Sequence, residues 1–113
     1  MNATIHHVCI AAKDFDWYVT FFTEVFSMTV ERTRGETPKR QLWFAEGVQL
    51  NEAADDRPSS GKEACDHFSL GVDIDPVEAA DIARAHGCHN VEGKGPHWFA
   101  LPNGVLVEMK PIR

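Results

Sequence analysis

The sequence lacks the features that define several large classes of protein. No stretch reaches the roughly 18 consecutive apolar residues that suggest a membrane-spanning helix. The first residues are polar and contain no signal-like apolar run. Cys9, Cys65 and Cys88 are odd in number and widely spaced, which argues against both a disulfide framework and a thiolate zinc site. We therefore expect a protein of the reducing cytoplasm with no membrane partner.

Basic residues are also scarce. The chain has 11 Lys and Arg against 17 Asp and Glu, a formal net charge of −6. The basic residues are scattered, whereas a nucleic-acid footprint requires them clustered, so we expect no nucleic-acid partner. The 113 residues, 43% of them hydrophobic, fit one compact domain with a narrow core margin. Because pairing enlarges such a core, we expect a homodimer.

Hydrophobic patterning in the first half predicts the order strand, helix, three strands. Residues 5–12 are apolar and partly β-branched, as in a buried strand. Aromatic side chains at three- and four-residue spacings then predict a helix, with Asp14 as its N-cap. Further strands are expected over residues 28–34, 41–45 and 48–51, separated by turns at Gly35 and Gly47.

The second half repeats this order. Residues 66–74 predict a strand, and Asp75 and Pro76 are suited to the N-cap and first position of a helix that stops at Gly87. A short strand is expected around residues 89–92, with two more over 97–101 and 105–110. Residues 54–65 have the composition of a linker. The predicted modules are therefore residues 1–53 and 66–113 of a single domain.

Two short motifs recur at matching places in the halves. His6-His7-Val8 corresponds to Asp66-His67-Phe68, and Trp43-Phe44-Ala45 corresponds to Trp98-Phe99-Ala100. Matches in the same slots of two like-ordered halves predict an internal duplication. Counting four residues from the turn glycines Gly47 and Gly104 makes Asn51 the equivalent of Glu108. A pseudo-twofold axis would then bring the equivalent positions to one cavity.

Three segments resemble a known superfamily. They are residues 5–11 (IHHVCIA), residues 21–28 (FFTEVFSM) and residues 101–109 (LPNGVLVEM). Over nearly the whole chain the sequence is similar to the vicinal oxygen chelate superfamily, which includes glyoxalases, bleomycin-resistance proteins and extradiol dioxygenases. The resemblance implies an α+β fold of two βαβββ modules in tandem. It does not specify a reaction, because this fold hosts many.

The resemblance also implies a metal site at His7, His67 and Glu108, with Asn51 in a fourth place. Lactoylglutathione lyases carry a carboxylate in that place, so Asn51 argues against their activity. Two imidazoles and one carboxylate resemble the set that extradiol dioxygenases use for Fe(II) and fosfomycin-modifying thiol transferases use for Mn(II). Ni²⁺ and Zn²⁺ are further candidates. Such a set leaves coordination positions open, where a substrate with two adjacent oxygens would chelate.

Other residues are candidates for contact with a small-molecule substrate. Asn51 is suited to orienting a bound water or substrate oxygen, and His97 to acting as an acid or base. Strand alternation places Cys9 on the face of His7 and Ser69 on the face of His67, and it turns one ring of each Trp-Phe pair toward the cavity. Arg34 and Arg40 flank the first-half hairpin, and either is suited to holding an anionic substrate group. The predicted substrate-binding residues are Cys9, Arg40, Trp43, Phe44, Ser69, Trp98 and Phe99.

Two functions fit these residues. The first is a metal-dependent enzyme that acts on a small oxygen-rich molecule by dioxygenase, lyase, isomerase or thiol-transferase chemistry. Extradiol dioxygenases typically bring a second-half tyrosine to the site, and the one tyrosine here, Tyr18, lies on the first helix. The second is a metal-free binding protein of the bleomycin-resistance type. Its aromatic cleft and the acidic balance of the chain would suit a basic drug.

Overall fold

The chain folds into two compact units. The computed structural model describes residues 2, 5–54 and 67–112. Unit 1 is Met1–Asp56 and unit 2 is Arg57–Arg113; apart from residue 54, the predicted linker lies outside the described residues. Within the described residues, two helices and two sheets, of four and three strands, confirm the predicted α+β class. No helix in the described ranges is long and apolar enough to cross a membrane.

Unit 1 has the predicted order of strand, helix and three strands. Its elements are β1 (Val8–Ala12), α1 (Phe15–Phe26), β2 (Val30–Arg34), β3 (Gln41–Phe44) and β4 (Val48–Glu52). The sheet order is β1-β4-β3-β2, with β1 parallel to β4 and the other pairs antiparallel. The first and last strands of the unit are therefore neighbours, which brings residues distant in sequence side by side.

One face of this sheet packs on α1. Ile10 and Leu50 are fully buried there, together with Phe22 of the helix. The helix is capped at Ser27, whose N–H donates to the carbonyl of Phe22. The left-handed conformation of Ser27 (φ 54°) also brings the N–H of Met28 within 3.2 Å of the same carbonyl oxygen. Asp14 is the N-cap residue, as predicted, but its side chain accepts no backbone N–H. Its backbone carbonyl instead accepts from the N–H of Tyr18.

In its described part, residues 67–112, unit 2 repeats the plan with one strand fewer. It contains β5 (Phe68–Val72), α2 (Pro76–Ala85), β6 (Trp98–Ala100) and β7 (Leu106–Pro111). The sheet order is β5-β7-β6, with β5 parallel to β7. The strand expected around residues 89–92 is wrong: one bridge, between His89 and Ala100, stands in its place. The chain turns away soon afterwards through Gly93, whose φ is 81°.

Helix α2 begins and ends where the sequence predicts. The carboxylate of Asp75 accepts a hydrogen bond from the N–H of Glu78 at 3.1 Å, and Pro76 is the first helical residue. Gly87 follows the helix with a φ of 113°, a conformation that favours glycine. Buried alanines of α2 cover the side of the sheet that carries Val107 and Met109. In both units we call the opposite side, away from the helix, the helix-distal face.

Candidate active site

The centre of the helix-distal face in unit 2 is a row of three side chains. Ser69 of β5 lies opposite Glu108 of β7, and Glu108 lies opposite Trp98 of β6. Side chains alternate along a strand, and the neighbours of Glu108, Val107 and Met109, are fully buried on the helix side. The row therefore projects from the other face, where Glu108 keeps a side-chain exposure of 14%.

Four side chains surround the Glu108 carboxylate. The Ser69 hydroxyl donates to Oε1 at 3.0 Å, and His67 Nε2 lies 3.7 Å from the same oxygen. His97 Nε2 lies 3.4 Å from Oε2, and Lys110 Nζ lies 3.7 Å from it. The predicted neighbours His67 and Glu108 are therefore in contact, and His97 joins them.

These neighbours keep Glu108 ionised. Burial raises the pKa of this carboxyl, but the Ser69 hydrogen bond, the Lys110 charge, the His97 hydrogen bond and the His67 charge all lower it. The net result is a pKa below the ordinary value for glutamate. A carboxylate that is ionised at neutral pH and held by a hydroxyl is a competent ligand for a divalent cation.

Trp98 forms the wall beside this carboxylate. Its ring lies edge-on to His67, with 4.6 Å between centroids, and 6.1 Å from the ring of His97. Lys94 Nζ lies 4.7 Å from the centre of the same ring. Gly95 leaves the space that the His97 ring occupies, since a Cβ there would fall 2.9 Å from the imidazole.

Unit 1 has a corresponding row with different chemistry. Cys9 lies opposite Gln49, Gln49 opposite Trp43, and Trp43 opposite Arg32. Because Trp43 matches Trp98 and Cys9 matches Ser69, the residue in the Glu108 slot is Gln49. The proposed equivalence of Asn51 and Glu108 is therefore wrong.

The error comes from the length of the hairpins. The connection between β3 and β4 covers residues 45–47, whereas that between β6 and β7 covers residues 101–105. Counting from the turn glycine therefore shifted the alignment by two residues, which preserves the face of the strand but changes the row. The alternation Val48-Gln49-Leu50, matched to Val107-Glu108-Met109, is the sequence signal that identifies Gln49.

Asn51 lies two residues farther along the same face and organises an amide network. Its Oδ1 accepts from Gln49 Nε2 at 2.8 Å and from Gln41 Nε2 at 3.2 Å. Gln49 is buried, with 7% of its surface exposed. The network fixes both neighbouring amides, and it leaves the Asn51 amide nitrogen as a donor. A catalytic role for Asn51 stays a prediction.

His7 lies just before β1, as His67 lies just before β5. It is exposed, and its Nδ1 is 2.8 Å from Nδ1 of His6. Within each unit, the described residues bring together no set of three or more His, Cys, Asp and Glu donors that could hold a metal ion. The metal trio predicted here draws on both units, with His7 in unit 1 and the other two members in unit 2, and it stays a prediction.

The guanidinium of Arg40 already has partners within unit 1. Nε and Nη2 bind the two oxygens of Glu52, Nη1 binds Asp16 at 2.9 Å, and the group lies 4.6 Å from the centre of the Phe15 ring. The Arg40 hydrogen bond is the largest cause that lowers the pKa of Glu52, and it exceeds the opposing effect of burial. Arg40 ties β4 to the start of α1, and its contact with a substrate stays a prediction.

Two of the predicted aromatic contacts are also wrong. Phe44 and Phe99 are 2% and 0% exposed and lie on the helix side of their sheets, with Phe44 against Phe22. Trp43 and Trp98 occupy the helix-distal faces instead. Cys9 shares the row of Gln49, and burial raises the pKa of its thiol, which disfavours a nucleophilic thiolate.

Solved structures share this architecture. Glyoxalase I of Leishmania major, described as trypanothione-dependent, superposes with a TM-score of 0.73 at 20% identity over 97% of this chain and 87% of that one. FosX from Mesorhizobium loti, a fosfomycin resistance protein, gives 0.72 at 14% identity over 100% and 94%. A glyoxalase family protein of Enterococcus faecalis gives 0.69 at 20% identity over 94% and 95%.

This chain has the vicinal oxygen chelate fold. No family model and no curated protein matches the sequence. At these identities the vicinal oxygen chelate neighbours define the architecture and leave the reaction open.

Proposed function

We propose that this protein is a metal-dependent enzyme of the vicinal oxygen chelate type that acts on a small oxygen-rich molecule. The observation that carries the proposal is the Glu108 carboxylate. It is ionised, held by the Ser69 hydroxyl and contacted by His67 on the helix-distal face of unit 2. His7 occupies the same slot before its first strand as His67, and it completes the proposed ligand set.

The residues present suit a divalent ion. Two imidazoles and one carboxylate are ligands that Fe²⁺, Mn²⁺, Ni²⁺ and Zn²⁺ all accept. Metal-binding histidines usually donate their second ring N–H to a neighbour, and the Nδ1 atoms of His6 and His7 are within hydrogen-bond distance. If His7 donates from Nδ1, its Nε2 carries the lone pair that a metal requires.

The chain's own residues would position the reactants. Ser69 and His97 hold the two oxygens of Glu108 in place, and Trp98 shields one side of His67 from water. When bound, the ion supplies Lewis acidity toward a chelating substrate oxygen. Since His97 Nε2 faces Glu108, we assign His97 a positioning role rather than direct proton transfer to the substrate.

Two residues, Gln49 and Tyr18, narrow the set of candidate reactions. The neutral Gln49 stands where lactoylglutathione lyases carry a carboxylate, which disfavours that activity. Tyr18 is only 1% exposed within unit 1, so it does not supply the tyrosine expected of an extradiol dioxygenase. The remaining reactions are addition of a thiol or water and isomerisation through an enolate. The expected homodimer belongs to the same proposal.

Metal binding tests the proposal. Protein purified without chelators should contain close to one ion per chain, and added Mn²⁺, Fe²⁺, Ni²⁺ or Zn²⁺ should raise its thermal stability. At a free metal concentration a hundred times the dissociation constant, binding should raise the free energy of unfolding by about 2.7 kcal/mol. His67→Ala should abolish both effects. His89→Ala is the matched control, because His89 is exposed and its hydrogen bonds with Ala100 are made by its backbone.

A metal-free protein whose melting temperature ignores all four ions would refute the enzyme proposal. It would favour the metal-free binding protein instead. If metal binds, trials with fosfomycin plus a thiol or water, with methylglyoxal–thiol adducts and with catechols distinguish the reactions. Turnover of catechols alone would contradict the choice made from Tyr18.

A further inference from the structure

The arginines of this chain fall into two groups. Four of them, Arg32, Arg34, Arg40 and Arg84, lie within the described residues. Arg40 is paired with Glu52 and Asp16, and Arg84 with Asp81 and two backbone carbonyls. Arg32 and Arg34 form no ion pair with a carboxylate anywhere in the described ranges, although the chain carries an excess of acidic residues.

The two unpaired arginines stand on the helix-distal face of unit 1. The β2–β3 register pairs Arg32 with Trp43 and Arg34 with Gln41. The β3–β4 and β1–β4 registers extend these pairs into two rows, Arg32-Trp43-Gln49-Cys9 and Arg34-Gln41-Asn51-Ala11. Neither row contains an acidic residue. The face therefore combines two cations with three side-chain amides.

Arg32 is held in place rather than free to move. Its guanidinium carbon lies 4.0 Å from the centre of the Trp43 ring, a distance typical of a cation–π contact. This contact orders the planar group without using its N–H donors, which stay available for a carboxylate or phosphate. A cation stacked in this way loses less conformational freedom when it binds an anion.

The amide network adds donors to the same face. Asn51 Oδ1 accepts from both Gln41 and Gln49. This arrangement directs the Asn51 amide nitrogen away from its own network, and in the described ranges that nitrogen has no acceptor. Cations and amide donors without neighbouring carboxylates have the chemistry of an oxyanion site.

We propose that this face of unit 1 binds the anionic group of the substrate, a carboxylate, phosphate or phosphonate. Arg32 and Arg34 supply the charge, and Asn51 supplies a neutral donor. The inference rests on the proposed function in treating the bound anion as part of the enzyme's substrate. It opposes the basic ligand that the overall acidic charge suggests, because the local charge of this face is positive.

Phosphate titration of the metal-free protein tests the face directly. The probe is inorganic phosphate, with methylphosphonate and acetate as parallel arms and spermidine as a basic comparison. The readout is the indole N–H signal of Trp43 in a ¹H–¹⁵N spectrum, assigned with Trp43→Phe. We expect a saturable shift with at least one of the three anions and none with spermidine.

Two variants with the same loss of charge make the test specific. Arg32→Gln should weaken anion binding about tenfold or more, as expected for loss of a charge-assisted hydrogen bond. Lys39→Gln removes an exposed charge in the same unit and should leave binding within twofold. Thermal melts of each variant show that the fold is retained. Arg32→Lys, which keeps the charge and loses the planar fork, should have an intermediate effect.

Equal weakening by Arg32→Gln and Lys39→Gln would overturn the proposal, since only general charge would then matter. No saturable shift with any anion, or a shift with spermidine alone, would also overturn it. His67→Ala should lose metal binding and keep anion binding, which separates this inference from the proposed function. If the wild-type protein binds anions but no metal, only the proposal of a metal-dependent enzyme is refuted. If it binds metal but shows no shift with anions, only the proposed anion site of unit 1 is refuted.

Discussion

The two units use the same strand plan to present opposite chemistry. Unit 1 displays Gln49 between a thiol and a tryptophan that carries Arg32, whereas unit 2 displays Glu108 between a hydroxyl and a tryptophan flanked by imidazoles. The strand registers are equivalent, so the backbone offers the same slots in both. A duplicated scaffold can therefore present different chemistry by side chain alone. Under the two proposals above, unit 2 holds a metal cation and unit 1 holds an anion.

The cores of the two units also differ. A substitution in the aromatic core of unit 1 should have the largest effect on the free energy of unfolding. Helix α1 buries Phe15, Tyr18, Phe21 and Phe22, whereas α2 buries Ala79, Ala80 and Ala83. We expect Phe22→Ala to lower the free energy of unfolding by about 3–5 kcal/mol, because it leaves a cavity under the sheet of unit 1.

Urea denaturation measures this loss. Thr23→Ala, at an exposed position of the same helix, is the control and should change stability by less than about 0.5 kcal/mol. A loss below about 1 kcal/mol for Phe22→Ala would mean that α1 does not carry the core of unit 1.

Exchanging Glu108 and Gln49, the central residues of the two rows, tests whether unit 2 holds the metal and unit 1 the anion. Glu108→Gln gives unit 2 the neutral side chain of unit 1, and we expect metal affinity to fall about a hundredfold or more. Loss of a ligand should cost at least as much as the 10–100-fold typical of an outer-shell change. Competition with a chromophoric chelator measures the affinity.

The reciprocal variant, Gln49→Glu, places a carboxylate in the fourth place. It should tighten metal binding and weaken phosphate binding to unit 1. Unchanged metal affinity in both variants would show that the Glu108 row is not a metal site.

Glu52 and Glu108 lie on the last strands of units 1 and 2. They differ in their partners and should differ in their response to pH. Arg40 lowers the pKa of Glu52, so this pair stabilises the folded state above the ordinary glutamate pKa of about 4.3. The contribution is lost as the pH falls through the lowered value. Arg40→Gln should therefore lower the melting temperature at pH 7, and the difference from wild type should shrink steadily below about pH 4.3.

Melting curves of both proteins between pH 7 and pH 2.5 check this. Arg34→Gln, which removes an unpaired arginine of the same unit, should show no such pH-dependent gap. A constant gap for Arg40→Gln would mean that its loss acts through packing on Phe15 rather than through Glu52.

Gly95 should give the smallest effect. Gly95→Ala places a methyl group 2.9 Å from the His97 ring, which must then rotate away from Glu108. We expect metal affinity to fall a few-fold with little change in stability, since the imidazole is the end of a flexible side chain. The His97 ring signals in an NMR spectrum report the movement, and Gly93→Ala is the control. There a Cβ meets nothing within 4 Å, although the positive φ of Gly93 adds a small strain to this control that stability measurements register.

Local chemistry made much of the fold predictable. Asp75, Pro76 and Gly87 define α2 because a capping carboxylate, a fixed φ and a left-handed stop act within a few residues. The aromatic spacing of α1 defines its buried face in the same way. The contact between His67 and Glu108 was also predictable, because the first and last strands of a βαβββ unit are neighbours in the sheet.

Pairing between strands was harder to predict. The slot of Gln49 depends on a hairpin two residues shorter than its counterpart, and a turn glycine does not report that length. Arg40 was expected near a substrate because the sequence shows a charge beside a strand, whereas its partners, Glu52 and Asp16, come from other elements. The prediction of a strand at residues 89–92 failed for a related reason, because pairing with β6 ends after one bridge at His89.

The amino-acid pattern alone was enough to predict the order of elements, the boundaries of α2 at Asp75 and Gly87, and the matching slots of His7 and His67. These follow from forces that act between residues close in the chain. The fold was needed to show that Gln49 occupies in unit 1 the slot that Glu108 occupies in unit 2, and that Phe44 and Phe99 belong to the core. It was also needed to show that Arg32 rests on Trp43 while Arg40 is engaged in two ion pairs. Strand register sets those outcomes, and register is a property of two segments together, which neither segment encodes alone.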